Sequence, residues 1–155
     1  MSKRVALGCD HAVYSAYQEI VGIITATGIV SSVSYMGPSS AASVDYPDYA
    51  AQVCQAILKG EADTGILICG TGIGMSIAAN KFNGIRAALC HDHVTAQLSR
   101  QHNNAQVLCI GVRTCGMEVI RDIITTFLST EFSTEGRHSC RIAKITEMEK
   151  QQMST

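Results

Sequence analysis

Residues 69–75, with the sequence Cys-Gly-Thr-Gly-Ile-Gly-Met, combine a thiol with a glycine-rich turn. They follow the apolar run at residues 65–68 and precede a helical pattern at residues 76–81, so Cys69 stands where a strand should end and a helix begin. The unpaired N–H groups and dipole at such a helix start favour a thiolate and also bind anions. The sequence therefore predicts a proton-transferring thiol beside a site that stabilises negative charge on a substrate oxygen.

The spacing of the glycines in this turn differs from the known nucleotide-binding motifs. Gly70, Gly72 and Gly74 occupy every second position of the turn. A dinucleotide-binding turn needs its third glycine one position later, where this chain has Met75. Asp92 lies near the distance expected for a ribose-binding carboxylate, but the simpler interpretation is that Asp92 caps a helix. No Gly-Lys-Ser/Thr follows the turn, which excludes a P-loop.

Histidines supply further candidates for proton transfer. His102 and Asn103 stand at the end of a predicted helix, where His102 is either a helix C-cap or a general acid/base that acts on a substrate oxygen. His91 and His93 are separated by one residue, a weak metal-binding pattern that no further carboxylate or cysteine set completes. We therefore expect no metal site.

Basic side chains form a possible anion pocket. Arg113 follows a predicted strand, and Arg137, His138 and Arg141 cluster near the carboxyl end of the chain. Because arginine binds phosphate through two parallel hydrogen bonds, these side chains together with His11 would hold a dianion. The alternative is an ordinary solvated charged surface. The cluster is distant from the thiol in sequence, so it completes a site with that thiol only by folding back or by reaching into a partner subunit.

Short apolar runs alternate with helical periodicities along the chain. This alternation predicts a parallel sheet that is covered by helices on both faces and that binds ligands beyond the carboxyl ends of its strands. The predicted strands are residues 5–9, 29–35, 64–69, 85–90 and 105–111. The predicted helices are residues 14–27, 45–59, 76–81, 92–102, 115–128 and 142–150, with irregular segments at residues 36–44 and 132–138.

Composition limits the class of protein. A chain of 155 residues with 46% hydrophobic residues is the length of one domain, here residues 1–155, and has enough core to fold without a disulfide or metal. A net charge of −1 argues against a general nucleic-acid binder. Seven cysteines without a Cys-x-x-Cys pair indicate reduced, mostly buried thiols. The amino terminus resembles no secretory signal and no apolar run is long enough to span a bilayer, so we expect a soluble intracellular protein.

The chain resembles the type B ribose-5-phosphate isomerases over nearly its whole length. The matching blocks are residues 8–11, 43–48, 69–81, 86–90, 99–105, 111–113 and 137–141. The resemblance implies interconversion of D-ribose 5-phosphate and D-ribulose 5-phosphate in the non-oxidative pentose phosphate pathway, on a three-layer α/β/α Rossmann-like sandwich. It also implies a homodimer or dimer of dimers with shared active sites and no metal or organic cofactor. The expected location is cytoplasmic, with an organellar location left open.

The resemblance also assigns catalytic roles. Cys69 would be the base that moves a proton between carbons 1 and 2, and Thr71 would lie beside the thiol. The backbone of residues 70–74, with Gly70, Gly72 and Gly74, would hold the enediolate oxygen. His102 would assist opening of the furanose ring.

Further residues would bind the substrate. Asp10 and Asn103 would hold sugar hydroxyls, and Tyr46 would line the pocket. Five basic side chains would surround the phosphate: His11, Arg113, Arg137, His138 and Arg141.

The residue at position 75 differs between members of the family. Some members of the family use a glutamate as the base where this chain has Met75. Methionine cannot take a proton, which places this chain with the cysteine-using members.

One alternative function is an isomerase of a six-carbon sugar phosphate, such as allose 6-phosphate or galactose 6-phosphate, with the same chemistry in a longer pocket. The other is a non-catalytic module that binds a phosphosugar.

Overall fold

The computed structural model describes residues 2–154 and contains a five-stranded sheet. All of the strand pairs are parallel, in the order β2-β1-β3-β5-β4, which confirms the predicted parallel sheet. The strands are β1 (Lys3–Cys9), β2 (Val30–Tyr35), β3 (Thr64–Cys69), β4 (Ala87–Leu89) and β5 (Val107–Gly111).

Helices cover both faces of the sheet and give a three-layer α/β/α Rossmann-like sandwich, as predicted. One apolar core joins the sheet to α1, α4 and α5, and a second joins its other face to α2 and α3. The helices are α1 (Tyr17–Ala26), α2 (Tyr46–Leu58), α3 (Ile73–Ala79), α4 (His93–Gln101), α5 (Met117–Ser129) and α6 (Gly136–Met153). Within residues 2–154, none of the helices has both the length and the apolar character needed to cross a membrane.

The chain changes direction across the sheet between β1 and β3. From β1 it leads first to β2 on one side, and then crosses back to β3 on the other. Ligands bind at such a reversal, outside the carboxyl ends of the strands. Cys9 pairs with Ile68, and the N–H of Asp10 donates to the carbonyl of Ile68 at 3.3 Å. The register therefore brings Asp10 next to Cys69 at this edge.

The edge strand β4 is shorter than the predicted residues 85–90. The N–H of Arg86 donates to the side-chain oxygen of Gln106 at 2.8 Å, so regular pairing begins one residue later. On the outer edge, the Asn80 amide donates to the carbonyl of Ala87 at 3.0 Å and accepts from its N–H at 2.9 Å. This side chain takes the place of a further strand and closes the edge against pairing with other chains.

Three helices begin three or more residues away from their predicted starts, among them α3, which begins at Ile73 inside the glycine turn instead of at residue 76. Asp10 Oδ1 accepts the N–H of Ala12 at 2.9 Å and starts a 3₁₀ turn at His11–Val13, so α1 begins only at Tyr17. Helix α6 begins at Gly136, and the prediction of an irregular segment was wrong for residues 136–138. His138 is the one buried residue of α6, so this helix lacks the apolar stripe from which periodicity predicts a helix.

Candidate active site

A cavity of about 450 Å³ opens at the carboxyl edge of β1 and β3. We call it the thiol cavity. It is lined by Asp10, Tyr46, Cys69, Gly70, Thr71, Ile73, Gly74, Ile77 and Arg113. All of these except Ile73 and Ile77 are site residues that the sequence predicted. The two isoleucines are 52% and 58% exposed. They are four residues apart on α3 and therefore lie on the same face of that helix, a spacing from which the sequence could have predicted both as lining residues.

The thiol of Cys69 is held against the glycine turn. Its Sγ accepts the N–H of Gly72 at 3.1 Å, and only 5% of the residue is exposed. The turn is tied to the end of β5, because the N–H of Arg113 donates to the carbonyl of Gly70 at 2.8 Å. The sulfur is thus fixed in position at the start of α3 by a backbone hydrogen bond, where it lines a cavity and is placed to give and take a proton.

Two glycines leave the space that this geometry requires. Gly72 has a φ of 76°, and a Cβ there would lie 2.6 Å from Leu89 and 2.8 Å from the carbonyl carbon of Ile110. A Cβ on Gly74 would lie 2.4 Å from the ring of Tyr46. Gly72 is thus needed to turn its N–H towards the sulfur, and Gly74 allows Tyr46 to form a wall of the thiol cavity.

The Gly72→Ala variant is therefore expected to lose about 2 kcal/mol or more of its free energy of unfolding, from a left-handed backbone and overlap with β5. Denaturation in urea measures the loss. Gly22→Ala is the matched control, because Gly22 lies inside α1 and a Cβ there meets nothing within 4 Å. The control should be as stable as the wild type or more stable. Equal stability of Gly72→Ala and the wild type would contradict the close packing of the turn.

Polar side chains around the thiol have defined partners. Thr71 Oγ1 accepts the N–H of Ile73 at 3.3 Å, which links the glycine turn to the first residue of α3. Asp10 is 8% exposed and uses Oδ1 to hold the 3₁₀ turn. His11 Nδ1 accepts the N–H of Val44 at 3.2 Å and so ties the loop before α2 to that turn. Thr71 and Asp10 lie in the thiol cavity, and His11 directly follows Asp10.

Arg113 places a positive charge at the mouth of the thiol cavity. Its guanidinium lies over Gly70, where a Cβ would be 3.3 Å from Nη1. The side chain is exposed, and it forms no ion pair with any residue in the range 2–154. A guanidinium without a carboxylate partner is available to an anionic ligand.

His102 and Asn103 lie at the opposite edge of the sheet. Helix α4 starts after β4 at the carboxyl edge and runs back to the amino edge, where His102 is its C-cap residue. Strand β5 then returns to the carboxyl edge, where Gly111 pairs with Cys69. A strand of this length spans roughly 16 Å, so one chain does not bring the imidazole of His102 to its own thiol.

The start of α6 lies beside His102. The rings of His102 and His138 stack with centroids 4.2 Å apart and an angle of 10° between their planes. Glu135 Oε2 lies 2.8 Å from Arg137 Nη2 and 3.8 Å from His138 Nε2. We call these four residues the histidine cluster. Arg141 is exposed one turn further along α6.

Charge and burial lower the pKa of His138 below its usual value. Partial desolvation is the main cause, and the nearby His102, Arg137 and Arg141 act in the same direction, while Glu135 opposes them. His138 is 4% exposed, in contrast to the exposed arginines on either side. The ring is therefore favoured in its neutral form at neutral pH.

The remaining candidates have structural partners. Asp92 Oδ1 accepts the N–H of Thr95 at 2.7 Å in a capping box, which confirms Asp92 as the N-cap of α4. His93 Nδ1 lies 3.1 Å from Asp122 Oδ1 and 3.0 Å from Thr126 Oγ1, so His93 joins α4 to α5.

The cysteines other than Cys69 differ in their setting. Cys140 is exposed, and the others are buried, as the sequence predicted for most of them. Burial raises the pKa of Cys54 to about 11 and raises the pKa of Cys109 above its usual value. Cys54 and Cys109 share the core cluster of Cys69 but do not line the thiol cavity.

Comparisons with known proteins agree with the fold and identify the family. The model of the Ribose/Galactose Isomerase family matches residues 5–145. Ribose-5-phosphate isomerase B of Escherichia coli (strain K12) is 46% identical over 147 residues, which cover 95% of this chain and 97% of that protein. D-erythrulose-4-phosphate isomerase of Pectobacterium atrosepticum is 44% identical over 133 residues, which cover 85% of this chain and 86% of that protein. The structure of Leishmania infantum type B ribose 5-phosphate isomerase has a TM-score of 0.97 at 76% identity, with 98% and 99% of the chains covered.

Proposed function

Because this chain belongs to the ribose/galactose isomerase family, we propose that it is the aldose–ketose isomerase that interconverts D-ribose 5-phosphate and D-ribulose 5-phosphate, a step of the non-oxidative pentose phosphate pathway. The observation that carries the proposal is the thiol of Cys69, held by a backbone N–H at 3.1 Å in a cavity whose mouth bears the unpaired guanidinium of Arg113. A thiolate and an anion site together suit proton transfer on a phosphorylated sugar.

In the proposed reaction Cys69 acts on the open-chain sugar. The thiolate takes the proton from C2 of the aldose, and the electrons of that bond form the enediolate, with the negative charge on O1. The thiol then returns the proton to C1, while a hydroxyl proton moves from O2 to O1, so the ketose has the same atoms as the aldose. In the turn at residues 70–74, the N–H groups of Gly72 and Ile73 already bond to Cys69 Sγ and Thr71 Oγ1, so we assign the remaining backbone N–H groups to the charged oxygen. One such donor contributes about 3 kcal/mol to catalysis.

The phosphate lies far from the reacting carbons and serves to hold the sugar. We assign Arg113 to it because this exposed side chain lines the thiol cavity, and we add His11 because it directly follows Asp10 of the same cavity. Asp10 and Tyr46 line the same cavity and are placed to contact the sugar. Binding energy from the phosphate orients the open chain over the thiol and so assists proton transfer.

We further propose that a second copy of the chain completes each site. His102 assists opening of the furanose ring, Asn103 holds a sugar hydroxyl, and the arginines Arg137 and Arg141 close the phosphate pocket. All four lie at the edge of the sheet opposite to their own thiol, and both arginines are exposed.

Exposed apolar side chains supply the surface that a second copy would cover. Ile73 and Ile77 line the thiol cavity and are more than half exposed, and Ile145 and Met148 of α6 are 41% and 62% exposed. A two-fold homodimer would bury this surface and bring each His102 towards the other copy's thiol.

An assay on sugar phosphates of different length tests the proposed substrate. The wild type is offered ribose 5-phosphate, allose 6-phosphate, galactose 6-phosphate and D-erythrose 4-phosphate. We expect the highest kcat/KM with ribose 5-phosphate. A higher value with another sugar would transfer the proposal to that substrate, and binding without turnover would leave a phosphosugar-binding module.

Replacement of Arg113 by alanine is expected to raise KM for ribose 5-phosphate by roughly ten- to a hundredfold, because a charge-assisted contact with the phosphate is lost. Steady-state kinetics measures the change. The matched control is Arg121→Ala on α5, where the arginine faces Glu118 at 3.9 Å and lies outside the thiol cavity. An unchanged KM in Arg113→Ala would remove Arg113 from the phosphate pocket.

A further inference from the structure

The imidazole of His102 lies against the ring of His138. This imidazole makes no hydrogen bond with another side chain in the part of the chain that the structure describes. It stacks nearly parallel on the ring of His138, with the two ring centroids 4.2 Å apart. The backbone N–H of His102 bonds to the carbonyl of Leu98 at 2.9 Å, which fixes the position of Cα but not the ring. The orientation of the ring therefore depends on His138.

We propose that His138 is a positioning residue that holds the plane of the His102 imidazole for opening of the sugar ring, rather than a ligand of the phosphate. This inference rests on the proposed function. It departs from the role that the sequence resemblance gave to His138. The side chain of His138 is 4% exposed, whereas Arg137 and Arg141 present their charges to solvent.

His138 is itself held in place. Its N–H donates to the carbonyl of Glu135 at 3.1 Å, and Nε2 lies 3.8 Å from Oε2 of the same glutamate. Glu135 also pairs with Arg137 at 2.8 Å, so the carboxylate anchors the first turn of α6 beside the stacked rings. Because burial and the neighbouring cations lower the pKa of His138, its ring is favoured in the neutral form in this stack.

Ring opening depends on the orientation of His102. In this step the O1 hydroxyl loses its proton, the C1–O4 bond breaks with its electrons on O4, and O4 takes up a proton, so C1 becomes the aldehyde carbon without a net change in protons. His102 exchanges a proton with one of these oxygens. A displacement of about 1 Å in such a group lowers the rate by about a hundredfold.

The test compares variants that keep or remove the stacked ring. His138→Ala removes it, and His138→Phe keeps a planar ring without nitrogen. The control is His93→Ala, since His93 also lies beside a carboxylate, Asp122, at 3.1 Å but is remote from His102. Each protein is assayed with ribose 5-phosphate, and its Kd is measured for an acyclic phosphorylated hydroxamic acid. This probe mimics the enediolate and needs no ring opening.

We expect His138→Ala to lose roughly ten- to a hundredfold in kcat/KM, and His138→Phe and His93→Ala to stay within about threefold of the wild type. The Kd of the hydroxamic acid should stay within about threefold in every variant. Normal turnover in His138→Ala, or equal losses in the alanine and phenylalanine variants, would overturn the inference. A parallel loss of hydroxamic acid affinity would also overturn it and return His138 to the phosphate pocket. A wild type without turnover of ribose 5-phosphate would overturn the proposed function, and the inference with it.

Discussion

The Cys69→Ala variant is expected to lower kcat for ribose 5-phosphate by at least about a hundredfold, because it removes the general base. Among residues 2–154, no other thiol lines the thiol cavity, and Met75 of the same core cluster cannot accept a proton. The sulfur accepts one backbone N–H and sits in the core, so its loss leaves the phosphate contacts in place. Steady-state kinetics measures the loss of kcat, and calorimetric titration with the acyclic hydroxamic acid measures the retained binding.

Cys54→Ala is the matched control for this variant. Cys54 belongs to the same core cluster as Cys69, and burial raises its pKa to about 11, so its thiol stays protonated at neutral pH. We expect this control to lose some stability and to keep the turnover of the wild type. A Cys69→Ala enzyme that retains the turnover of Cys54→Ala would show that another group moves the proton.

The sequence predicted the thiol cavity well because its signals are local. An apolar run ended by Cys69 and an alternating glycine turn define both the strand and the N–H that reaches the sulfur. Strand β3 has the predicted bounds, Thr64–Cys69. The carboxyl-edge rule for parallel sheets then brought Asp10 and Arg113 to the same cavity, although they are distant in sequence.

The sequence was less informative where a helix is mainly polar. Helix α6 buries only His138, so periodicity placed its start six residues late and left Glu135, Arg137 and His138 in an irregular segment. The separation of His102 from Cys69, in contrast, follows from topology. A helix that joins two parallel strands must end at the amino edge, which is where His102 lies.

The second large effect is expected from combining two inactive variants in one dimer. His102→Ala should be as impaired as Cys69→Ala, because assistance of ring opening by a general acid or base is worth at least about a hundredfold. If each site takes its thiol from one copy and its imidazole from the other, a mixed dimer has one site with both substitutions and one site with neither. The mixed dimer then regains activity that neither variant has alone.

The most direct measurement is the turnover of ribose 5-phosphate by such a mixed dimer. The two variants carry different affinity tags, are expressed together, and are purified through both tags, with mass spectrometry to verify the composition. We predict about half of the wild-type kcat per dimer, since one of the two shared sites is intact. A doubly tagged dimer as inactive as the two parent variants would contradict a site shared between the thiol of one copy and the imidazole of its neighbour.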